Sequence, residues 1–67
     1  MSIVKVIELI AESDKSWEDA TKNALTEAQK TVKNIESIYI KDMKAIVKGG
    51  DISKYRVNAK VSFRVGD

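Results

Sequence analysis

The sequence predicts an α+β domain in the order β-α-β-β, with a three-stranded antiparallel sheet wrapping one long helix. Three observations carry this reading. Small and apolar residues recur at helical spacing through Trp17, Ala20, Ala24, Ala28, Val32 and Ile35. Strict alternation runs from Tyr55 to Val65, the period of a strand with one face buried. Between the two C-terminal apolar segments stands Gly49-Gly50-Asp51, a hairpin signal.

The first strand is expected over Ile3 to Ala11. Ile3, Lys5, Ile7 and Leu9 share one face; Val4, Val6, Glu8 and Ile10 share the other. Both faces are largely apolar, so both call for a cover. The helix supplies one, and in so short a chain a partner subunit would supply the other. Ser13 suits an N-cap, since its hydroxyl can accept from the first-turn N–H groups. The helix is then expected from about Asp14 to about Asn34. Asp14, Glu18 and Asp19 lie at its start and Lys30 and Lys33 at its end, which suits the helix dipole. Trp17 continues the core stripe and reads as a core residue rather than a ring stacked on a ligand.

A second strand is expected over Glu36 to Ala45 and a third over Ile52 to Val65. In the second, Ile38 and Ile40 share a face opposite Ser37, Tyr39, Lys41 and Met43. In the third, Tyr55, Val57, Ala59, Val61, Phe63 and Val65 oppose Lys54, Arg56, Asn58, Lys60, Ser62 and Arg64.

The 67 residues read as a single domain, 1–67. A chain of this size has a marginal core and generally needs a staple. With no cysteine and no histidine, disulfides and the common zinc ligands are excluded, which leaves self-association. The same absences remove Cys–His chemistry, and there is no phosphate-binding glycine loop. The chain reads as a binding protein, not an enzyme. No apolar run approaches the ~18 residues of a membrane span. Met-Ser-Ile-Val-Lys lacks the pattern of a signal peptide, so a cytoplasmic location is expected. The net charge is +2 and the pI about 9.0, with both signs interspersed; nucleic-acid binding is allowed but not indicated.

The informative surface is the sheet face turned away from the helix. Ser37, Tyr39 and Lys41 lie beside Arg56, Asn58 and Lys60 there, a basic platform with hydrogen-bonding groups. Arg56 can pair with a phosphate or carboxylate, and Tyr39 can stack on a planar ring. Such a face can also simply meet water, or pair with Glu8, Glu36 or Asp42 of another subunit. Glu12, Asp14, Glu18 and Asp19 form an acidic cluster, but no EF-hand spacing is present and acids at a helix start commonly serve its dipole.

With these residues in place, the sequence resembles the dodecin family over almost its whole length. The resemblance rests on Val4-Lys5-Val6-Ile7-Glu8-Leu9-Ile10 and on Ser16-Trp17-Glu18-Asp19-Ala20. It continues in Ala28-Gln29-Lys30-Thr31-Val32-Lys33-Asn34-Ile35 and in Tyr55-Arg56-Val57-Asn58-Ala59-Lys60-Val61-Ser62-Phe63. It implies a hollow homododecamer, with helices outside and sheets lining the interior, that binds or stores flavin (riboflavin or FMN) without catalysis. In flavin-binding members a tryptophan on the second strand stacks on the isoalloxazine ring, and a glutamine on the third bonds its polar edge. Those positions correspond here to Ser37 and Arg56, so the implied ligand site comprises Ser37, Tyr39, Arg56, Asn58 and Lys60 without the stacking tryptophan. The Ser-Trp-Glu helix start also resembles a calcium-binding dodecin branch, which makes calcium the second ligand to consider; no ligand set for it can be placed on this chain. A purely structural shell without flavin, and a weak binder of nucleic acid or anions, are also compatible with the sequence.

Overall fold

A computed structural model describes residues 3–66. The chain runs β1 (Ile3–Ser13), α1 (Trp17–Gln29), β2 (Ile35–Lys48) and β3 (Asp51–Val65). The sheet order is β1-β3-β2, and both pairings are antiparallel. The predicted architecture of one chain is therefore present, with β3 at its centre. Among the described residues, no helix is long and apolar enough to cross a membrane.

The alternation in β3 sorts the molecule into its layers. Val57, Ala59 and Val61 are fully buried under the helix, and each buried valine is worth about 1.5–3 kcal/mol relative to exposure. Facing them, Ala20, Ala24 and Ala28 are also almost wholly inaccessible. Alanine leaves no side chain beyond Cβ to hold the helix off, so α1 lies close on the strands.

The helix is shorter than its sequence periodicity suggests. Its N-cap is Ser16, not Ser13: the Asp19 N–H donates to Ser16 Oγ at 2.9 Å. Ser13 instead closes β1, opposite Tyr55. Its buried hydroxyl donates to Asp19 Oδ2 at 2.7 Å and accepts from the Lys15 N–H at 2.9 Å. Both serines have the chemistry of a cap, and the sheet had already claimed Ser13. At the other end the helix stops at Gln29, not near Asn34. Lys30 and Thr31 donate to Glu27 and Ala28, which tightens the last turn. Asn34 then adopts φ 62°, a left-handed conformation that asparagine tolerates and that ends the element. Val32 lies in this turn and Ile35 opens β2, so neither belongs to the helical stripe.

Trp17 is not a core residue either. It is 36% exposed and packs edge-on against Tyr55, with centroids 4.9 Å apart and planes at 77°. Its Nε1 donates to the Lys44 carbonyl at 3.0 Å. The indole thus pins the helix start to the β2–β3 hairpin, whose turn uses Gly49 at φ 59° and Gly50 at φ 83°.

The first strand has its expected two-sided character. Ile7 and Leu9 stand beside Val61 and Ala59 on the helix side. On the other side Val4, Val6 and Ile10 are 50%, 56% and 62% exposed. A single chain leaves this second face uncovered.

Candidate functional site

The antiparallel register assembles the polar face in rows across all three strands. Ser37, Ser62 and Val6 form one row. Tyr39, Lys60 and Glu8 form the next. Asp42, Asn58 and Ile10 follow, then Lys44, Arg56 and Glu12. Residues directly opposite one another in a sheet share a face. The five candidate residues, Ser37, Tyr39, Arg56, Asn58 and Lys60, thus lie together on the side away from the helix.

One residue of the expected set moves. A register shift between Ile40 and Asp42 inserts an extra residue in β2. Beyond it the alternation inverts, so Met43 pairs with Val57 and faces the helix side, while Asp42 and Lys44 join the polar face. Unbroken alternation had placed Met43 with Tyr39. A bulge changes which side chains share a face without changing the local composition, so the pattern does not reveal it.

Charges on this face are largely matched within the chain. Arg56 donates from Nε at 2.8 Å and from Nη2 at 2.7 Å, both to Glu12 Oε2. Lys41 lies 3.6 Å from Glu8. Arg64 grips Glu36 with a two-point fork, Nε to Oε2 at 2.7 Å and Nη2 to Oε1 at 3.1 Å. The salt bridges considered as intersubunit contacts for Glu8 and Glu36 are therefore made inside one chain. Arg56, expected to meet the charge of a ligand, already has a counter-charge. Glu12 was missed as its partner because β1 runs two residues further than the sequence pattern indicates. The alternation of Glu8, Ile10 and Glu12 was the available signal.

Lys60 differs. Like the exposed Lys44 on the same face it is in no ion pair among the described residues, but it is half-buried. It stands opposite Tyr39, which is 63% exposed. In the adjoining row, Asn58 Oδ1 is buried without a hydrogen-bond partner. Ser37 and Ser62 join their hydroxyls across the strands. The arrangement offers an uncommitted cation, an accessible aromatic ring and an unsatisfied acceptor within two rows. That chemistry suits a small planar molecule carrying negative charge.

The acidic cluster does not converge. Asp19 accepts from Ser13, and Glu12 holds Arg56. Among the described residues no group of three or more carboxylates is placed to hold a metal ion.

The Glu36–Arg64 fork has a consequence for titration. The hydrogen bonds and charge of Arg64 hold the Glu36 carboxyl below its ordinary value of 4.5. A depressed carboxylate contributes stability above its unfolded value and loses it as pH falls through the folded value. The expected result is that Arg64→Gln raises the Glu36 midpoint, followed by carboxyl-carbon NMR from about pH 2 to about pH 6, a range that spans carboxylate titration. An unchanged midpoint would show that the fork does not persist in solution.

Comparison with known proteins places this geometry. The family model for Dodecin matches residues 3–66. The "Calcium dodecin" of Mycobacterium tuberculosis is 32% identical over 65 residues, spanning 97% of this chain and 92% of the relative. The "Dodecin" of Thermus thermophilus is 27% identical over 63 residues, 94% of this chain and 91% of that one. A crystal structure of the tt0972 protein from Thermus thermophilus superposes with a TM-score of 0.93 at 25% identity, covering 100% of this chain and 98% of its own. The dodecin from Streptomyces coelicolor shares the fold at a TM-score of 0.93 and 21% identity, over 98% of this chain and 94% of its own.

Proposed function

The chain belongs to the dodecin family, and from that premise we propose that it is a homododecameric binding and storage protein, not an enzyme, that holds a small planar anion on the polar sheet face. The observation that carries this reading is Lys60, a half-buried cation in no ion pair among the described residues, opposite the exposed ring of Tyr39. An ammonium without a counter-charge on this face can form a charge-assisted hydrogen bond with an anionic ligand.

Flavin is the family default, and these residues suit a flavin differently from the family pattern. Ser37 offers no ring, whereas Tyr39 offers one two residues further along the same strand. Arg56 is neutralised by Glu12 and is not the principal charge. Lys60 would meet a phosphate, and Asn58 Oδ1 would take a donor from the ligand's polar edge. FMN should therefore bind more tightly than riboflavin, because only FMN carries the phosphate.

A fluorescence titration of both flavins into the purified protein tests this. Saturable quenching with FMN tighter than riboflavin supports the reading. Quenching by neither at micromolar protein removes flavin as the ligand.

Calcium is the second reading, favoured by the identity to the mycobacterial calcium dodecin. Calcium takes six to eight oxygens. The described residues of one chain do not fit that need, with no converging group of three carboxylates and with Glu12 and Asp19 engaged elsewhere. Equal melting temperatures in calcium and in chelator would remove this reading, since a ligand of the folded state raises stability by mass action.

A further inference from the structure

The bulge in β2 does more than move Met43. With unbroken alternation Asp42 would share the helix side with Ile38 and Ile40. The register shift between Ile40 and Asp42 instead sets it opposite Asn58, on the polar face. Bulges recur beside functional sites because they re-aim a side chain, and this one brings a carboxylate to the candidate site.

That carboxylate is uncommitted. Glu8, Glu12 and Glu36 each hold a cation of the same chain, whereas Asp42 is exposed and in no ion pair among the described residues. Directly across from it, Asn58 Oδ1 is buried with no hydrogen-bond partner. Asn58 and Lys60 are two residues apart on β3, so the Tyr39–Lys60 row lies about 7 Å away. A fused two-ring heterocycle stacked on Tyr39 spans that interval and brings its polar edge to Asp42.

An ionised carboxylate only accepts hydrogen bonds, and its two oxygens can take two parallel donors. It therefore stabilises a ring edge that presents two neighbouring N–H donors. It repels an edge that presents a carbonyl oxygen or a bare ring nitrogen, and such repulsion is a source of specificity. An isoalloxazine offers one N–H between two carbonyl oxygens. A 2-amino-4-oxopyrimidine offers a ring N–H and an amino group side by side.

We propose that Asp42, with Asn58, reads the edge of the ligand's ring and selects a planar anion of the 2-amino-4-oxopyrimidine class, the edge shared by guanine nucleotides and pterins, in preference to a flavin. This selectivity rests on the planar-anion reading proposed above and fixes which ring that face takes. Tyr39 supplies the stacking surface and Lys60 meets the anionic group.

Calorimetric titration of the purified protein with GMP, IMP, AMP, pterin-6-carboxylate and FMN tests the proposal. The three nucleotides carry the same ribose and phosphate, so Lys60 contributes equally and the ring edge decides. IMP lacks the 2-amino donor, and AMP replaces the ring N–H by an acceptor. GMP is expected to bind at least about tenfold more tightly than either, the factor for one hydrogen bond to a charged group. GMP tighter than pterin-6-carboxylate assigns the site to nucleotides, and the reverse order assigns it to pterins. In Asp42→Asn the preference for GMP over IMP should disappear while FMN binds more tightly, because an amide can donate to a flavin carbonyl. Changes of opposite sign do not arise from a misfolded variant. Three results overturn the edge reading and leave the planar-anion reading standing: equal affinity for the three nucleotides, FMN binding without any nucleotide or pterin, or an Asp42→Asn variant that keeps the GMP preference or loses all ligands alike. Binding of none of the five ligands to the unaltered protein overturns both.

Discussion

Replacing Ala24 with leucine is expected to destabilise the folded chain by about 1–3 kcal/mol, the usual consequence of forcing extra methylenes into a packed core. Ala24 is wholly inaccessible, at the middle of the face that α1 lays on β3. On the helix side of β3, the branched side chains of Val57 and Val61 are also at zero exposure. Leucine at that position must either push the helix outward or displace a valine, and each route separates the alanine face from the sheet along its length. Leucine is also an excellent helix former, so propensity predicts almost no change; the sign of the effect isolates the packing distance. Urea unfolding followed by circular dichroism, at fixed protein concentration because assembly shifts apparent stability, measures it. A midpoint equal to that of the unaltered protein would mean that the helix rides higher on the sheet than these burials indicate. A parallel change of Lys22 to leucine on the exposed helix face should leave the midpoint nearly unchanged, since surface substitutions are usually within about 0.5 kcal/mol.

Reversing the charge at Lys60 is expected to weaken FMN binding by at least tenfold. A charge-assisted hydrogen bond contributes about 1.5–3 kcal/mol, and about 1.4 kcal/mol corresponds to a factor of ten. Lys60→Glu also places a second carboxylate opposite Glu8, which already lies 3.6 Å from Lys41. Repulsion of the ligand's phosphate therefore adds to the lost attraction. Riboflavin has no phosphate, so its affinity should change much less, and the ratio of the two effects is the diagnostic quantity. Equal losses for both flavins would place the phosphate away from Lys60, while intact FMN affinity would remove Lys60 from the site. Arg56→Gln supplies the contrast: Arg56 is held by Glu12, so its replacement should alter the phosphate-dependent difference less than Lys60→Glu does.

The β-α-β-β order, the alanine face of the helix and the helix-facing side of β3 were legible in the chain because each depends on a period. A helix returns every 3.6 residues and a strand every two, and neighbours in sequence are enough to establish either. The uncovered second face of β1 was legible for the same reason, since Val4, Val6 and Ile10 sit in alternation with Ile3, Ile7 and Leu9. The grouping of Ser37, Tyr39, Arg56, Asn58 and Lys60 on one face followed from parity alone, and the register of β2 on β3 brings them together.

Other features depend on contacts between residues far apart in sequence. Ser13 and Ser16 are equivalent as caps until β1 extends far enough to pair Ser13 with Tyr55. Trp17 fits the helical stripe by spacing, but the sheet beneath it has turned into a narrow ribbon, so its indole meets Tyr55 and Lys44 at a rim. The bulge after Ile40 inverts the faces of β2 and transfers Met43 to the helix side. Arg56 and Glu12 are 44 positions apart, and only the β1–β3 register makes the arginine a neutralised residue. Periodicity sets which residues share a face, because that is a property of the backbone repeat. Charge partners, caps and bulges are chosen by competition among distant groups for the same space, which local sequence does not record.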